Sequence, residues 1–125
     1  MNFDDHKPIY LQISDTICEK ILNDEYRGDE RIPSIRELGI LFGVNPNTVI
    51  RSYEHLKSID VIYDKRGVGF FIASDAKKAV KEMYKKEFMK SELPSIVKKM
   101  KLLDININDI TETIQKELSA EEQVN

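Results

Sequence analysis

The chain has 125 residues, of which 41% are apolar and 33% are charged, and its formal net charge is −3. A chain of this length forms one domain, or one small domain with an appendage. No apolar run approaches the ~20 residues of a membrane span. The acidic start MNFDDHKP lacks the basic and then apolar order of a signal peptide, so we expect a cytoplasmic protein.

The first predicted helix begins at Pro8 and ends near residue 24, after a lead of residues 1–6 that we expect to be disordered. Isoleucine recurs at every fourth position along it, as on a core-facing helix: Ile9, Ile13, Ile17 and Ile21. Cys18 lies in this stretch and is the one cysteine of the chain, which rules out an internal disulfide. We interpret it as a buried core thiol, with a redox role as the alternative.

Two short helices joined by a tight turn are predicted between Ile32 and Tyr53. Ser34 can cap the first helix, which occupies about residues 34–42 and carries an apolar face of Ile35, Leu38, Leu41 and Phe42. Gly43 suits the left-handed position that follows a helix. The next helix occupies about residues 46–59, because Asn45 is a good N-cap and Pro46 a good first helical residue.

The second helix of this pair has an apolar side and a polar first turn. Val44, Val49 and Tyr53 are expected to pack it down, which leaves short hydrogen-bonding side chains exposed at its start. This is the anatomy of a helix-turn-helix, whose second helix enters the DNA major groove. A helical hairpin without a DNA-binding role would give the same pattern, so the neighbouring segments decide between the two readings.

Residues 61–72, VIYDKRGVGFFI, contain two short β-type runs around a glycine-containing loop, which predicts a hairpin. A hairpin directly after a recognition helix is a wing. Lys65 and Arg66 at its tip are placed to reach phosphates or the minor groove. The alternative is an ordinary solvated hairpin tip. Gly67 and Gly69 do not make a dinucleotide fingerprint, since the third glycine and a βαβ unit are missing.

Four motifs follow one another between residues 7 and 73: PIYLQI, IPSIREL, GVNPNTVIRSYEHL and DKRGVGFFI. Together they resemble the GntR family of bacterial transcription factors. The run NPNTV followed by R-x-Y is similar to the branch with short helical tails that is called YtrA-like. The resemblance implies a winged helix-turn-helix, a homodimer and a palindromic operator, and it suggests control of a transporter operon.

The chain departs from the family pattern at three positions. Asp60 and Asp104 stand where the family commonly has glycine, and Ile50 stands where other branches carry arginine. Base preferences therefore cannot be copied from those branches.

The composition shifts at Ser74, and residues 74–120 are predicted to form a helical tail. Pro94 interrupts its apolar stripe, so we expect a kink there, or a break with Ser91 as a new N-cap. A second helix begins after Asn106, with Asp109 as a weak capping-box partner, and residues 120–125 are expected to fray. The tail has too little apolar surface to stand alone.

Pairing with the tail of a second chain is the favoured outcome for this stripe, because two-fold pairing matches a palindromic site. The alternative is that the tail folds back on its own winged domain. The candidate dimer interface consists of Val80, Met83, Tyr84, Phe88, Val97, Met100, Ile110 and Ile114.

The candidate DNA contacts fall into three groups. Asparagine can bind adenine bidentately and threonine can pack on a thymine methyl, so Asn45, Asn47 and Thr48 at the helix start are expected to read bases. Pro46 belongs to the same candidate DNA-binding turn. The candidate phosphate contacts are Ser34, Arg36, Arg51 and Tyr53. The candidate wing contacts are Lys65, Arg66 and Gly67.

The charge balance of the candidate DNA-binding part argues mildly against nucleic acid. Residues 1–73 hold 9 Lys or Arg against 12 Asp or Glu, and residues 74–125 hold 10 of each, whereas a basic domain is the usual footprint. The acids cluster at residues 4–5 and 24–30, away from the candidate contacts. We therefore expect sequence-independent binding to be weak.

The sequence offers no candidate set for catalysis. His6 and His55, the only histidines, lack partners at metal-ligand spacing, and neither a nucleophilic triad nor a phosphate-cradling loop is present. We expect no enzyme activity, cofactor or metal.

The sequence thus predicts a mainly α fold with a small β-hairpin: a winged helix-turn-helix at residues 7–73 and a two-helix dimerisation tail at residues 74–120. The predicted function is a transcriptional regulator, in particular a repressor, that binds double-stranded DNA at an inverted repeat as a homodimer. Two alternatives are a winged-helix protein-interaction module and a ligand sensor with a pocket in the tail, so the question of a small-molecule effector stays open.

Overall fold

A computed structural model describes the backbone of residues 6–124 and the side chains of residues 6–120. The helices are α1 (Ile9–Leu22), α2 (Ile35–Phe42), α3 (Pro46–Ser58), α4 (Ala76–Glu87), α5 (Leu93–Leu102) and α6 (Ile107–Val124), with a π-helical turn, Phe88–Glu92, before α5. The strands are β1 (Ile62–Lys65) and β2 (Gly69–Ile72). This mainly helical fold with one small hairpin confirms the predicted fold class. The expectations for residues 1–5 and for Asn125 lie outside the described residues, and the structure describes only the backbone of residues 121–124, which belongs to α6.

The chain divides into two compact units, Met1–Tyr84 and Lys85–Asn125. The boundary falls inside α4, so the first unit includes a stretch of helix that sequence reasoning assigned to the tail. The division into residues 7–73 and 74–120 stays a prediction. Within residues 6–124 no helix is long and apolar enough to cross a membrane.

Local signals in the sequence explain where the helices of the first unit begin and end. Ser34 Oγ accepts from the Glu37 backbone N–H at 3.1 Å, and Glu37 Oε1 accepts from the Ser34 backbone N–H at 3.3 Å. This reciprocal capping box fixes the start of α2. Gly43 then ends α2 with a left-handed φ of 66°, and Asn45 caps α3 with Pro46 at its first position. The predicted roles of Ser34, Gly43, Asn45 and Pro46 in these helix ends are confirmed.

The core of the first unit lies between α1, α2, α3, the hairpin and the start of α4. Its buried apolar side chains come from every one of these elements: Ile13, Ile17, Ile21, Leu38, Val49, Tyr53, Leu56, Val61, Ile72 and Val80. Cys18 is also buried there, as predicted, and burial raises the pKa of its thiol to about 11. The thiol is therefore protonated near neutral pH, which is the unreactive form.

The predicted apolar face of α2 needs one correction. Leu41 is 66% exposed and its neighbour Ile40 is 74% exposed. The short helix packs instead through Ile35, Leu38 and Phe42, which leaves Leu41 beyond the edge of the buried stripe.

The hairpin pairs β1 and β2 in antiparallel register from Ile62 opposite Ile72 to Lys65 opposite Gly69. The segment before α2 extends this sheet, because the Ile32 backbone N–H donates to the Phe70 carbonyl at 2.9 Å and Arg31 bridges to Phe71. The predicted hairpin is thus present, and the chain entering α2 is fastened to it.

Pro94 does not break the tail helix. The chain stays helical from Ala76 to Leu102, and the Leu93 backbone N–H donates to the Phe88 carbonyl, five residues back. Ser91 lies inside this π turn and caps nothing, so the expected break at Ser91 is wrong. The wider turn makes room for the Pro94 ring, which would clash with the preceding turn of a regular α-helix.

The start of α6 agrees with the predicted cap. Asn106 Oδ1 accepts from the Asn108 backbone N–H at 2.9 Å, and Asp109 Oδ2 accepts from the Asn106 backbone N–H at 3.0 Å. The turn before it contains Asp104 in the left-handed region, with φ 55°. Asp60, after α3, has φ 60°. These two backbone conformations are the ones for which glycine is usually chosen.

Candidate nucleic-acid interface

The first turn of α3 presents polar side chains to solvent. Asn45 Oδ1 accepts from the Asn47 backbone N–H at 2.8 Å, which occupies the oxygen and leaves the amide N–H donors available. Asn47 is exposed, its side-chain amide has no hydrogen-bond partner among residues 6–120, and Thr48 is half-buried beside it. Two amides at the edge of one helical turn can donate to and accept from base edges in a groove.

Two arginines lie exposed on the motif helices. Arg36 stands in the first turn of α2, and Arg51 stands in the second turn of α3 with its guanidinium carbon 4.2 Å from the centroid of the Tyr10 ring. Neither pairs with a carboxylate in the described part of the chain. Their N–H donors are therefore available to phosphate oxygens, which guanidinium groups bind well.

Ser34 has a structural duty besides its predicted contact with phosphate. Its oxygen accepts the Glu37 backbone N–H in the capping box. Hydrogen bonding to Ser34, through its hydroxyl and then through its backbone N–H, lowers the pKa of the Glu37 carboxyl. Ser34 is half-buried, and its contact with phosphate stays a prediction.

Tyr53 does not fit its predicted role as a phosphate contact. The side chain is 1% exposed, its hydroxyl donates to the Pro33 carbonyl at 2.6 Å, and its ring packs edge-on against Phe70 at 4.8 Å between centroids. Burial also raises the pKa of its phenol. The prediction of DNA contact by Tyr53 is wrong, and its other predicted role, packing α3 down, is confirmed.

The tip of the wing carries Lys65, Arg66 and Gly67, all of them exposed. Gly67 has φ 78° and nothing within 4 Å of the position a side chain would take, so the backbone conformation explains the glycine. Lys65 Nζ lies 4.7 Å from the centroid of the Phe71 ring. Arg66 has no carboxylate partner within residues 6–120, which leaves it available to a phosphate.

The candidate dimer residues separate into two groups. Val80 is 0% exposed and belongs to the core of its own chain, so it cannot contact a second chain and its prediction is wrong. Tyr84 is half-buried against the same core, and its hydroxyl donates to Asp15 Oδ1 at 3.4 Å. The others are exposed or half-buried and remain candidates: Met83, Phe88, Val97, Met100, Ile110 and Ile114.

Sequence reasoning missed the part that Tyr10 plays at this surface. The Tyr10 ring contacts Arg51 and lies edge-on to His55 at 6.4 Å between centroids. The available signal in the sequence was an aromatic residue off the isoleucine stripe and at a helix start. Among residues 6–120 no cluster of three metal-ligating side chains is found, and His55 packs on an aromatic ring.

Comparison with known proteins identifies the kind of domain. A model of the family described as bacterial regulatory proteins, gntR family, matches residues 9–72, which run from the start of α1 to the end of β2. The HTH-type transcriptional repressor YtrA of Bacillus subtilis (strain 168) is 32% identical over 114 residues, which are 91% of this chain and 86% of that protein.

Two solved structures extend the comparison to three dimensions. A protein of Bacteroides thetaiotaomicron assigned to the GntR family of transcriptional regulators is 43% identical, with 90% of this chain and 98% of that one covered and a TM-score of 0.76. The AraR DBD in complex with operator ORR3 is 29% identical, with 58% of this chain and 88% of that one covered and a TM-score of 0.53. The latter structure contains operator DNA.

Proposed function

Because the chain belongs to the gntR family of bacterial regulatory proteins and is a transcriptional regulator with a DNA-binding domain, we propose that it represses transcription by binding an inverted-repeat operator as a homodimer. The observation that carries this proposal is the exposed first turn of α3, with Asn47 and the capping residue Asn45 at its edge. α3 would place this turn in the major groove.

The positions of the cations support binding to a duplex rather than to a protein partner. Arg36 and Arg51 lie on the two motif helices and Arg66 lies at the wing tip, and all three are exposed without a carboxylate partner among the described residues. Phosphate contacts at such points fix the register of a protein on DNA. The rival reading, a winged-helix protein-interaction module, rests on the net charge of −3 and predicts no binding to duplex DNA.

The second unit supports the homodimer. Within residues 85–120 no side chain is buried, and large apolar side chains are exposed along its helices: Phe88, Met89, Ile96, Val97, Leu102, Leu103, Ile107, Ile114 and Leu118. Apolar surface on this scale needs a partner. A second copy is the simplest partner, since two-fold pairing presents two α3 helices to two half-sites.

A ligand-sensing tail is the weaker alternative. A small-molecule site is a concavity that buries most of its ligand, and the described part of the second unit, taken by itself, buries none of its own side chains. An effector site formed by one chain alone is therefore disfavoured. Thermal shift against a metabolite panel tests it, and a rise in melting temperature with one compound would favour the sensor.

A gel shift tests the central proposal. The full chain is titrated into a labelled duplex covering the region upstream of its own gene and into an unrelated duplex of equal length. We expect a discrete complex with the first duplex and weak, salt-sensitive binding to the second. The absence of a complex with either duplex would favour the protein-interaction module. Transcript levels in a deletion strain then show whether the regulated genes rise, as repression requires, and whether they encode a transporter.

A further inference from the structure

Tyr10 and Arg51 form a contact between α1 and α3 that the hydrophobic core does not require. The Arg51 guanidinium carbon lies 4.2 Å from the centroid of the Tyr10 ring. We propose that Tyr10 is a positioning residue, which holds the Arg51 guanidinium in place for a DNA phosphate. This proposal deepens the proposed function and rests on it.

The Tyr10 backbone is fastened to α3. The Ser52 hydroxyl, which is 0% exposed, donates to the Tyr10 carbonyl oxygen at 2.6 Å. The buried Ser14 hydroxyl donates to the same oxygen at 3.0 Å and lies 3.4 Å from the Ser52 carbonyl oxygen. Buried hydroxyls keep such bonds because losing one leaves an unpaired polar group. The start of α1 is therefore held against the residue that follows Arg51 in the chain.

The Tyr10 ring is held as well. Its face carries the Arg51 guanidinium, and the His55 ring meets it edge-on, with 6.4 Å between the two ring centroids. Arg51 and His55 are four residues apart, so they lie one above the other on α3. Tyr10 is half-buried but is not among the side chains that form the core. The Tyr10 ring therefore packs on two surface side chains of α3 and not in the hydrophobic core.

Stacking on Tyr10 has a consequence for Arg51. An exposed arginine has many rotamers, and fixing it on a phosphate costs side-chain entropy. A guanidinium stacked over a ring is held by cation–π attraction, which uses no N–H donor. The donors of Arg51 stay available while the number of its conformations falls, so a phosphate meets a guanidinium that is already ordered.

The test uses the full chain and four variants: Tyr10→Leu, Tyr10→Phe, Arg51→Met and the double variant Tyr10→Leu with Arg51→Met. Fluorescence anisotropy measures binding to the duplex from upstream of its own gene and to an unrelated duplex of equal length. We expect Tyr10→Leu to weaken binding to both about threefold, as loss of an exposed cation–π contact implies. Tyr10→Phe should restore the parent affinity, since the ring face is kept.

The double variant separates positioning from general damage to the fold. If Tyr10 acts through Arg51, Tyr10→Leu causes no further loss once Arg51 is methionine. Arg51→Met itself should weaken binding to both duplexes and make the salt dependence shallower by about one unit. The control is Tyr26→Leu. The Tyr26 ring also has a cation–π neighbour, Lys20 Nζ at 5.8 Å, but that lysine lies on α1 and not on α3. This control should bind as the parent does.

Three results would overturn the inference. Tyr10→Leu could bind both duplexes as tightly as the parent, it could cause the same loss with and without Arg51, or Arg51→Met could bind as the parent does. Failure of the proposed function has a different signature, namely that the parent chain binds neither duplex. Circular dichroism melts of all variants confirm that affinities are compared between folded proteins.

Discussion

Asn45 and Asn47 stand two residues apart at the start of α3 and have different duties. The Asn45 oxygen caps the helix, so this side chain contributes to folding whatever it does with DNA. The Asn47 side chain has no hydrogen bond within the described residues and is exposed. A substitution at Asn47 therefore reports on binding alone, whereas one at Asn45 reports on binding and stability together.

Asn47→Ala should cost about 1–3 kcal/mol of specific binding and relax the preference at one base pair in each half-site. The free energy of unfolding should stay within about 0.5 kcal/mol of the parent, because the position is exposed. Asn45→Ala is the matched comparison and should also lose about 1 kcal/mol of stability with its cap. Melting temperatures and affinities for single-base operator variants at fixed salt measure both effects. If Asn47→Ala binds every operator variant as tightly as the parent does, α3 is not the helix that recognises the bases.

Arg36 is expected to contact phosphate and carry no sequence information. Arg36→Ala should weaken binding to all duplexes by the same factor and make the plot of log affinity against log salt shallower by about one unit. The measurement is a salt titration with two unrelated duplexes. An unchanged slope, with affinity lost for one duplex only, would mean that Arg36 reads bases.

At the scale of the helix or strand, the ends of the elements explain most of this fold. Three local features determine where α2 and α3 begin and end: the capping box of Ser34 and Glu37, the left-handed Gly43 and the Asn45 cap. Asp60 then turns the chain from α3 into β1 with φ 60°. A non-glycine residue in the left-handed region carries a steric cost of about 1–2 kcal/mol. The cost is lower for aspartate than for most residues, because its short side chain can hydrogen-bond locally.

Asp60→Gly should therefore raise the stability of the chain, and Asp60→Ala should lower it, since alanine lacks the local hydrogen bonding of a carboxylate. The expected gap between the two variants is about 1 kcal/mol, or about 4–8 °C in melting temperature for a domain of this size. Thermal melts of the parent and both variants give the order. Alanine melting above glycine would contradict the steric explanation.

Helix ends were predictable from the sequence because capping depends on a few neighbouring residues. The places where prediction failed depend on packing between distant segments. The sequence around an apolar helix residue, such as Leu41 or Val80, does not indicate which segment packs against it or whether any does. Tyr53 was given two roles because its ring is apolar and its hydroxyl polar, and only the position of the Pro33 carbonyl decides between them.

The tail shows the same limit on a larger scale. Its periodic apolar residues predicted one stripe that packs against a partner surface, but two parts of the stripe differ in burial. At Val80 it is covered by the core of its own chain, and in residues 85–120 it is not covered within the described unit. Sequence periodicity alone cannot show at which residue the stripe stops packing on the core of its own chain and becomes exposed. The contact between Tyr10 and Arg51 was beyond reach for a similar reason, since it joins residues 41 positions apart.

On the scale of the whole molecule, the exposed apolar side chains of α6 should decide the oligomeric state. A full-chain variant with Ile114→Lys and Leu118→Lys should sediment as a monomer, because two lysines would have to be buried without partners. Leu41→Lys is the control, since Leu41 is equally apolar and exposed but lies on α2, and it should leave the dimer intact. A monomeric parent chain, or a dimer that survives both tail substitutions, would contradict pairing through α6.

The π turn at Phe88–Glu92 has a consequence for the evolution of this tail. A hydrogen bond from Leu93 to Phe88 encloses one residue more than an α-helical bond, so the turn is equivalent to an insertion of a single residue into a regular helix. The wider turn absorbs that residue, so the side chains after it stay on the same side of the helix although their positions in the sequence are shifted by one. This explains how the apolar stripe that Pro94 interrupts continues into α5. Descent by a one-residue insertion predicts that relatives with an unbroken α-helix here will align with this chain through a gap of one position within residues 88–92, and that their apolar stripe will continue in phase.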